Sequence, residues 1–285
     1  TIYSIIRTRD NQIYVGTYNG LCRYIPSNGK FEGIPLPVHS SQSNLFVNSL
    51  LEDTVRQCIW IGTEGYLFQY FPSTGQMKQT EAFHNNSIKS LALDGNGDLL
   101  AGTDNGLYVY HNDTTPLQHI IHDSRNIQSL TNNIIWNIFA DQEHNIWLGT
   151  DYGISLSRYN SALQFIPISQ ITGTGDGNQF YSLFRDSKGF YWFGGTNGLI
   201  RFTDPAGERH DTIWYRMGDK TYPLSHNRIR HIYEDKEQQL WIATDGSINR
   251  YDYATRQFIH YNIVDSTGTV SYTHLRAHET GAYLV

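Results

Sequence analysis

Aromatic, amide and charged side chains share one variable place in a strand pattern that recurs along the chain. The pattern reads apolar, variable, small polar, apolar. Its variable place holds, in order, Tyr3, Asn48, Lys89, Trp136, Tyr181 and Arg230. Flat aromatic rings can stack on sugar rings, while amide and cationic groups can hydrogen-bond to hydroxyl or carboxylate groups. Because packing alone does not require such a mixture, these residue types favour a carbohydrate-binding surface.

A second variable set follows a Gly-Thr or Gly-Gly pair in each copy, within a short turn that we call the rim turn. The rim turns contain Tyr18, Asn19, Glu64, Asp104, Asn105, Asp151, Tyr152, Asn197 and Asp245. We expect them to surround the face onto which the variable strand places open. The candidate ligand-binding residues are therefore Tyr3, Lys89, Trp136, Tyr181, Arg230, Tyr18, Asp104, Asn105, Asp151, Tyr152 and Asn197. The alternative is an ordinary solvated rim around a water-filled channel.

Other chemistry receives less support from the linear spacing. Asp94 to Asp98 resembles the start of a calcium loop, but Leu99 and Asn105 stand where such a loop needs glycine and glutamate. We interpret the stretch as a glycine-rich turn. The carboxylates are numerous, yet their spacing identifies no pair for acid and base catalysis, because a sequence does not report distances between strands. We expect no catalytic residue, metal site or cofactor.

The elements that position these residues repeat six times. The most regular motif is the second strand pattern of each copy, as in Asn145 to Thr150. Its central residue is, in turn, Gly16, Gly62, Gly102, Gly149, Gly194 and Ala243, at spacings of 46, 40, 47, 45 and 49 residues. Periods of this length indicate arrays or propellers. Each copy contains four short strand patterns, whereas the 3.6-residue period of helices is absent. The repeat therefore predicts an all-β β-propeller of four-stranded blades, with six repeats visible in a partial or single seven-bladed propeller.

Two further places in the repeat are predicted to be structural. The second strand of each copy has an anchor residue, in turn Tyr14, Trp60, Leu100, Trp147, Trp192 and Trp241. Their regular spacing predicts that the anchor tryptophans belong to the core rather than to a sugar-binding platform. An aspartate closes the first strand in five copies, with Thr8 in that place in the first copy. Aspartate before glycine or polar residues is typical of a hairpin turn.

Composition and charge narrow the class of protein. The 285 residues include 20 Tyr, 13 Phe and 25 Gly, which suits a strand-rich and turn-rich chain. The net charge is −6 without a basic block, so nucleic acid is not an expected partner. The sequence contains neither an apolar run of about 18 residues nor a signal peptide at its start. It therefore predicts an excised or incomplete soluble piece, and two cysteines define no disulfide framework.

The repeats resemble the two-component regulator propeller family, the sensory arrays of hybrid two-component systems and related sensor kinases. The resemblance rests on the pattern that ends in Trp-Ile-Gly-Thr, as in Ile59 to Thr63 and Asn145 to Thr150, and covers about residues 1 to 261. Departures include Gly65, which comes one position early, and Ala243 and Ser247, which stand at glycine positions. The family implies a periplasmic or extracellular portion of an inner-membrane protein. Its further parts would be a second propeller, a β-sandwich, a membrane helix and a kinase, with a homodimer formed through the parent protein.

The end of the chain departs from the repeat. We predict a propeller over residues 1 to 269 and a non-repeat tail over residues 270 to 285. Ser271 to Thr280 matches no repeat position and resembles translated sequencing-adapter DNA, so the natural sequence is expected to stop near Gly268 or Thr269.

Three functions remain open at this stage. The resemblance implies an extracytoplasmic sensor that is not itself an enzyme and that binds a glycan fragment, or relays its binding, to a membrane histidine kinase. The first alternative is a propeller hydrolase or lyase acting on polysaccharide. The second is a non-catalytic interaction scaffold. The residues alone decide neither the ligand, nor its site, nor the closure of the propeller, nor the oligomeric state, since fold does not fix function.

Overall fold

The structure is a computed structural model that describes residues 1–37, 46–80, 86–111, 118–159, 165–167, 178–203, 212–221 and 223–262, with only the backbone of 165–167. Every regular element in these ranges is a strand, and the 24 strands form six four-stranded sheets. This confirms the predicted all-β fold of four-stranded repeats. Nothing helical in the described ranges is long and apolar enough to span a membrane. The predicted tail over residues 270 to 285 lies outside them.

The strands follow the sequence repeat in chain order. The first three sheets contain β1 (Ile2–Arg7), β2 (Ile13–Thr17), β3 (Gly20–Ile25), β4 (Lys30–Ile34), β5 (Val47–Asp53), β6 (Cys58–Thr63), β7 (Leu67–Phe71), β8 (Gln76–Thr80), β9 (Ile88–Leu93), β10 (Leu99–Thr103), β11 (Gly106–Tyr110) and β12 (Gln118–Ile120). The last three contain β13 (Ile135–Ala140), β14 (Ile146–Thr150), β15 (Gly153–Ser157), β16 (Phe165–Pro167), β17 (Phe180–Arg185), β18 (Tyr191–Gly195), β19 (Gly198–Phe202), β20 (Ile213–Tyr215), β21 (Ile229–Glu234), β22 (Leu240–Thr244), β23 (Ile248–Asp252) and β24 (Gln257–Tyr261).

The chain divides into two compact units. The described part of unit 1 comprises residues 1–121 and 133–140, and unit 2 comprises residues 122–132 and 141 onward. In unit 1 the first strands of successive repeats pack side by side, β1 on β5, β5 on β9 and β9 on β13. In unit 2 the same relation holds between β17 and β21. The first strands thus carry the variable places to one side of each unit.

In five of the six sheets the rim turn is braced by the threonine that ends the second strand. Thr103 Oγ1 donates to the carbonyl of Gly106 at 2.9 Å and accepts from the Asn105 N–H at 2.9 Å. The same two bonds recur at Thr17, Thr150 and Thr244. In the fifth sheet Gly195 replaces threonine, and the Asn178 side-chain oxygen takes over the bond to the Asn197 N–H at 2.9 Å. The threonine of the motif therefore shapes the turn rather than contacting a ligand.

The anchor tryptophan and the aspartate at the end of the first strand form one buried pair. The Trp147 indole N–H donates to Asp141 Oδ2 at 2.8 Å, and Trp192 donates to Asp186 at 2.7 Å. Trp60 with Asp53, and Trp241 with Asp235, repeat the bond. Trp60, Trp147 and Trp192 are fully buried, as predicted, whereas Trp241 is only partly buried. The pair joins the first hairpin of a repeat to its core.

The central glycine of the motif is required by the neighbouring strand. A Cβ atom on Gly149 would lie 2.6 Å from the carbonyl oxygen of Phe180, a contact that backbone atoms cannot easily relieve. We expect Gly149→Ala to lower the free energy of unfolding by about 1 to 3 kcal/mol, as overpacking does in a filled core. Chemical denaturation would measure the change. The matched control is Gly33→Ala, where an added Cβ meets nothing within 4 Å; equal effects at both positions would contradict the packing explanation.

Candidate functional site

In unit 1, three aromatic rings gather beside the first rim turn. The Tyr18 ring lies 4.4 Å from the Phe46 ring, and the Tyr3 ring lies 5.9 Å from it, measured between centroids. Tyr18 is 43% exposed, so this cluster presents aromatic surface to solvent. The structure therefore brings Tyr3 and Tyr18 together through Phe46, which precedes β5 and was not among the residues predicted from the sequence.

Lys89 and Trp136 form the second pair of predicted residues in unit 1. The Lys89 Nζ atom lies 4.6 Å from the centroid of the Trp136 ring, within the range of a cation–π interaction. Both side chains are half-buried. Within the described ranges no carboxylate lies close enough to Lys89 to form an ion pair. An aromatic face and an ammonium group without a carboxylate partner thus stand side by side, each contributed by a different first strand.

The carboxylates of the unit 1 rim turns are held by neutral donors. Glu64 Oε1 accepts from Asn48 Nδ2 at 3.1 Å and from the Ser87 hydroxyl at 2.9 Å. Asp104 Oδ1 accepts the Ser87 N–H at 3.2 Å. Asn105 is exposed, and its carbonyl oxygen lies 2.5 Å from Nε2 of His119. These contacts fix the rim turns, and both carboxylate residues remain exposed to solvent.

In unit 2, Asp151 and Tyr181 are linked through a residue that the sequence did not single out. Gln179 donates from its amide nitrogen to Asp151 Oδ1 at 2.5 Å, and its amide oxygen accepts the Tyr181 hydroxyl at 2.5 Å. Burial raises the pKa of Tyr181, although the nearby Arg228 and Arg230 act in the opposite direction. The phenol therefore stays protonated and acts as a donor at neutral pH.

Arg230 is neutralised by the rim turn of its own sheet. Its Nε and Nη2 atoms donate to the two oxygens of Asp245 at 2.5 and 3.0 Å, in a bidentate ion pair. Partial burial of Asp245 opposes its charged form, but the bonds and charge of Arg230, with Arg228 nearby, still lower its pKa. The Arg230 guanidinium also lies 5.9 Å from the Tyr181 ring centroid. Arg230, predicted as a ligand contact, is thus already engaged with protein groups.

The two remaining predicted residues occupy rim turns of unit 2. Tyr152 is 60% exposed, with its N–H donating to Thr150 Oγ1 at 3.1 Å. Asn197 is exposed, and its carbonyl oxygen accepts from Arg216 Nε at 3.2 Å. Among the described residues no three His, Cys, Asp or Glu side chains gather in a way that could hold a metal ion. The surface therefore offers aromatic rings, amides and charges for binding.

Comparison with known families and structures identifies the repeat. The model of the two component regulator propeller matches residues 129–152, 174–197 and 223–246, each of which ends in a rim turn. Three of the six repeats thus match the two component regulator propeller family. The matched segments coincide with repeats four, five and six, each of which contains the Trp–Asp pair.

Two similar proteins are the extracellular domain of a hybrid two component system and a histidine kinase. The chain is 97% identical to the extracellular domain of a candidate hybrid two component system, BT4673 of B. thetaiotaomicron, with a TM-score of 0.55 over 94% of this chain and 36% of that chain. It is 28% identical over 296 residues to Histidine kinase P4 of Formosa agariphila, covering 92% of this chain and 20% of the kinase. The chain therefore corresponds to extracellular sequence and spans only about a fifth to a third of these relatives.

A third similar structure supports the fold alone. The virginiamycin B lyase of Staphylococcus aureus is 14% identical, with a TM-score of 0.67 over 93% of this chain and 85% of the lyase. At this identity the likeness shows a shared β-propeller fold and carries no statement about activity. The fold predicted from the repeat is confirmed.

Proposed function

We propose that this chain is the sensor region of an extracytoplasmic two-component receptor, and that it binds a glycan fragment whose binding is relayed to a membrane histidine kinase. The similarity to the extracellular domain of BT4673 supports the sensor role. The family's usual further parts, which are a second propeller, a β-sandwich, a membrane helix and the kinase, belong to the same proposal, as does dimerisation through the parent protein.

The observation that carries the glycan proposal is the pairing of Lys89 with Trp136. A sugar ring has apolar C–H faces and polar edges, so it is matched by an aromatic face with a charged or hydrogen-bonding group beside it. Lys89 supplies such a group, and its ammonium has no carboxylate partner within the described ranges. The exposed ring of Tyr18 and its half-buried neighbours Tyr3 and Phe46 add a second aromatic surface in the same unit.

The rim residues of unit 2 are less suited to bind a ligand than Lys89 and Trp136, because they are already paired with one another. Arg230 is bound to Asp245, and Tyr181 and Asp151 are joined through Gln179. A ligand that used these groups would first have to break bonds already made, which costs free energy for each partner left unpaired. We therefore assign Lys89, Trp136, Tyr3 and Tyr18 as the main ligand contacts, with the unit 2 residues in a positioning role.

We expect Trp136→Ala to weaken glycan binding at least tenfold while lowering the melting temperature by no more than a few degrees. The reason is that Trp136 is half-buried and its variable place accepts tyrosine, asparagine, lysine and arginine in other repeats. A glycan-array screen would identify an oligosaccharide, and calorimetry would then compare the wild type with the variant. The matched control is Phe31→Ala, which removes a 57% exposed ring from the outer strand β4.

The same experiment separates the sensor from its alternatives. Retention of an intact oligosaccharide supports the sensor, and unchanged affinity in Trp136→Ala contradicts the assigned surface. Release of cleaved product that disappears in Glu64→Gln or Asp104→Asn would instead indicate a hydrolase or lyase. Absence of both binding and turnover across the array would leave the interaction scaffold.

A further inference from the structure

A cavity of about 600 Å³ lies within unit 1, between the first and second sheets. It is bounded by the hairpin between β1 and β2 and by the hairpin between β5 and β6, at the opposite end of the strands from the rim turns. Its volume falls in the range of sites for small molecules. This inter-sheet cleft is separate from Lys89, Trp136 and the aromatic cluster, so it does not depend on the proposed glycan surface.

The cleft occurs where the first repeat departs from the others. The place of the anchor tryptophan holds Tyr14, and the place of its aspartate partner holds Thr8, and both line the cleft. The backbone is otherwise equivalent, since the Thr8 N–H donates to the Gln12 carbonyl as the Asp141 N–H donates to that of Asn145. The larger indole and its carboxylate partner are therefore missing on a scaffold that elsewhere accommodates them.

The charges around the cleft are unbalanced. Asp10, Glu52, Asp53 and Arg23 line it. Asp53 is neutralised by Arg56 at 2.8 Å, and Arg23 by Glu32 at 3.0 Å. Asp10 and Glu52 have no cationic side chain within ion-pair distance in the described part of the chain.

The two unbalanced carboxylates retain room for further donors. Asp10 Oδ1 accepts the Thr8 hydroxyl at 2.5 Å, and both oxygens of Glu52 share the Arg9 N–H at 3.1 Å. Each carboxylate has about four lone-pair sites, so most of them are left for a ligand. Gln12 and Gln57 add amide groups to the lining. The cleft thus attracts cations and offers hydrogen bonds to hydroxyl groups.

We propose that the inter-sheet cleft binds a small hydroxylated organic cation of the amino-sugar class, of one or two rings. The ammonium group lies against Asp10 and Glu52, where charge-assisted hydrogen bonds are the strongest available. The hydroxyl groups meet the amides and the Thr8 side of the cleft. The fully buried Tyr14 forms its floor and limits the depth to which a ring enters.

The test compares three probes of the same ring size by calorimetry on the full 285-residue chain. We expect glucosamine to bind in the millimolar range, with glucose and N-acetylglucosamine at least tenfold weaker, because only glucosamine carries the ammonium. Glu52→Gln keeps the shape and the bond to Arg9 and is expected to weaken glucosamine binding about fivefold or more. The matched control is Glu237→Gln, which removes an exposed carboxylate from the hairpin between β21 and β22 in unit 2.

A second variant tests the origin of the cleft. Thr8→Asp with Tyr14→Trp restores the residues of the regular repeats, and we expect it to abolish glucosamine binding while the melting temperature is kept or raised. If that variant does not fold, the glucosamine affinity of Glu52→Gln still tests the proposal. Equal binding of all three probes, no binding of glucosamine, or full binding in Glu52→Gln would overturn the proposal. Glu52→Gln is expected to leave binding of the oligosaccharide identified on the glycan array unchanged, so failure here is distinguishable from failure of the glycan sensor.

Discussion

Replacing Trp147 with alanine is expected to lower the free energy of unfolding by about 3 to 5 kcal/mol, the usual cost of removing a large aromatic side chain from a core. Trp147 is fully buried and packs against Tyr191, Phe193 and Phe202, with ring centroids 4.9 to 5.9 Å away. Its loss also removes a donor from the buried carboxylate of Asp141. Thermal and chemical unfolding would measure the change.

The Trp147→Ala variant is informative because the same residue type serves two purposes in this chain. At temperatures where the variant remains folded, we expect it to bind glycan as the wild type does. Trp136→Ala is the matched comparison, with the opposite expected outcome of retained stability and lost affinity. Should Trp147→Ala keep its stability and lose binding, the assignment of the anchor tryptophans to the core would be wrong.

The second large effect is a loss of stability in acid that is caused by His231. This residue occupies the small-polar place of β21, where burial lowers its pKa to about 4 from 6.5. Above pH 6.5 the imidazole is neutral in both the folded and the unfolded chain, and it contributes nothing to pH dependence. Between pH 6.5 and 4 only the unfolded chain takes up the proton, which favours unfolding by up to about 3 kcal/mol.

The variant His231→Ser isolates this contribution, because serine occupies the same place in four other repeats. The stability of the wild type relative to the variant should fall by about 3 kcal/mol between pH 7 and pH 4. Carboxylates such as Asp53 and Asp245, whose pKa values are lowered in the folded chain, destabilise both proteins alike in acid. Denaturation at a series of pH values would measure the difference. A constant difference across this range would contradict the depressed pKa.

The repeated parts of the fold were predictable from the sequence, because residues that recur at the same place in several copies indicate a shared structural role. The anchor tryptophans and the closing aspartates were identified as separate structural features from their spacing. Their direct hydrogen bond was missed, although the first copy gave a signal by replacing both members at once, with Thr8 and Tyr14. Trp241 is less buried than its counterparts, which the repeat alone does not reveal.

The candidate site was less predictable because it depends on contacts between residues far apart in the chain. The variable strand places predicted Lys89, Trp136 and Arg230 as equivalent ligand contacts. Of the two cations among them, only Arg230 is neutralised by Asp245. Gln179 and Phe46 lie just before first strands and belong to no repeated motif, so no periodic signal marked them. Which charges remain available for a ligand is decided by such pairs, and a linear sequence does not report them.

We expect the buried carboxylates of unit 2 to couple the unfolding of neighbouring repeats. Asp141 accepts from Trp147 of its own sheet and from the Tyr191 hydroxyl of the following sheet at 3.0 Å, and Asp186 likewise accepts from Trp192 and from Tyr253 at 2.6 Å. A repeat that opens therefore leaves its neighbour with an unpaired buried group. Such nearest-neighbour coupling makes adjacent repeats melt together rather than one at a time. In the first repeat Thr8 replaces this carboxylate, so fraying is expected to begin there.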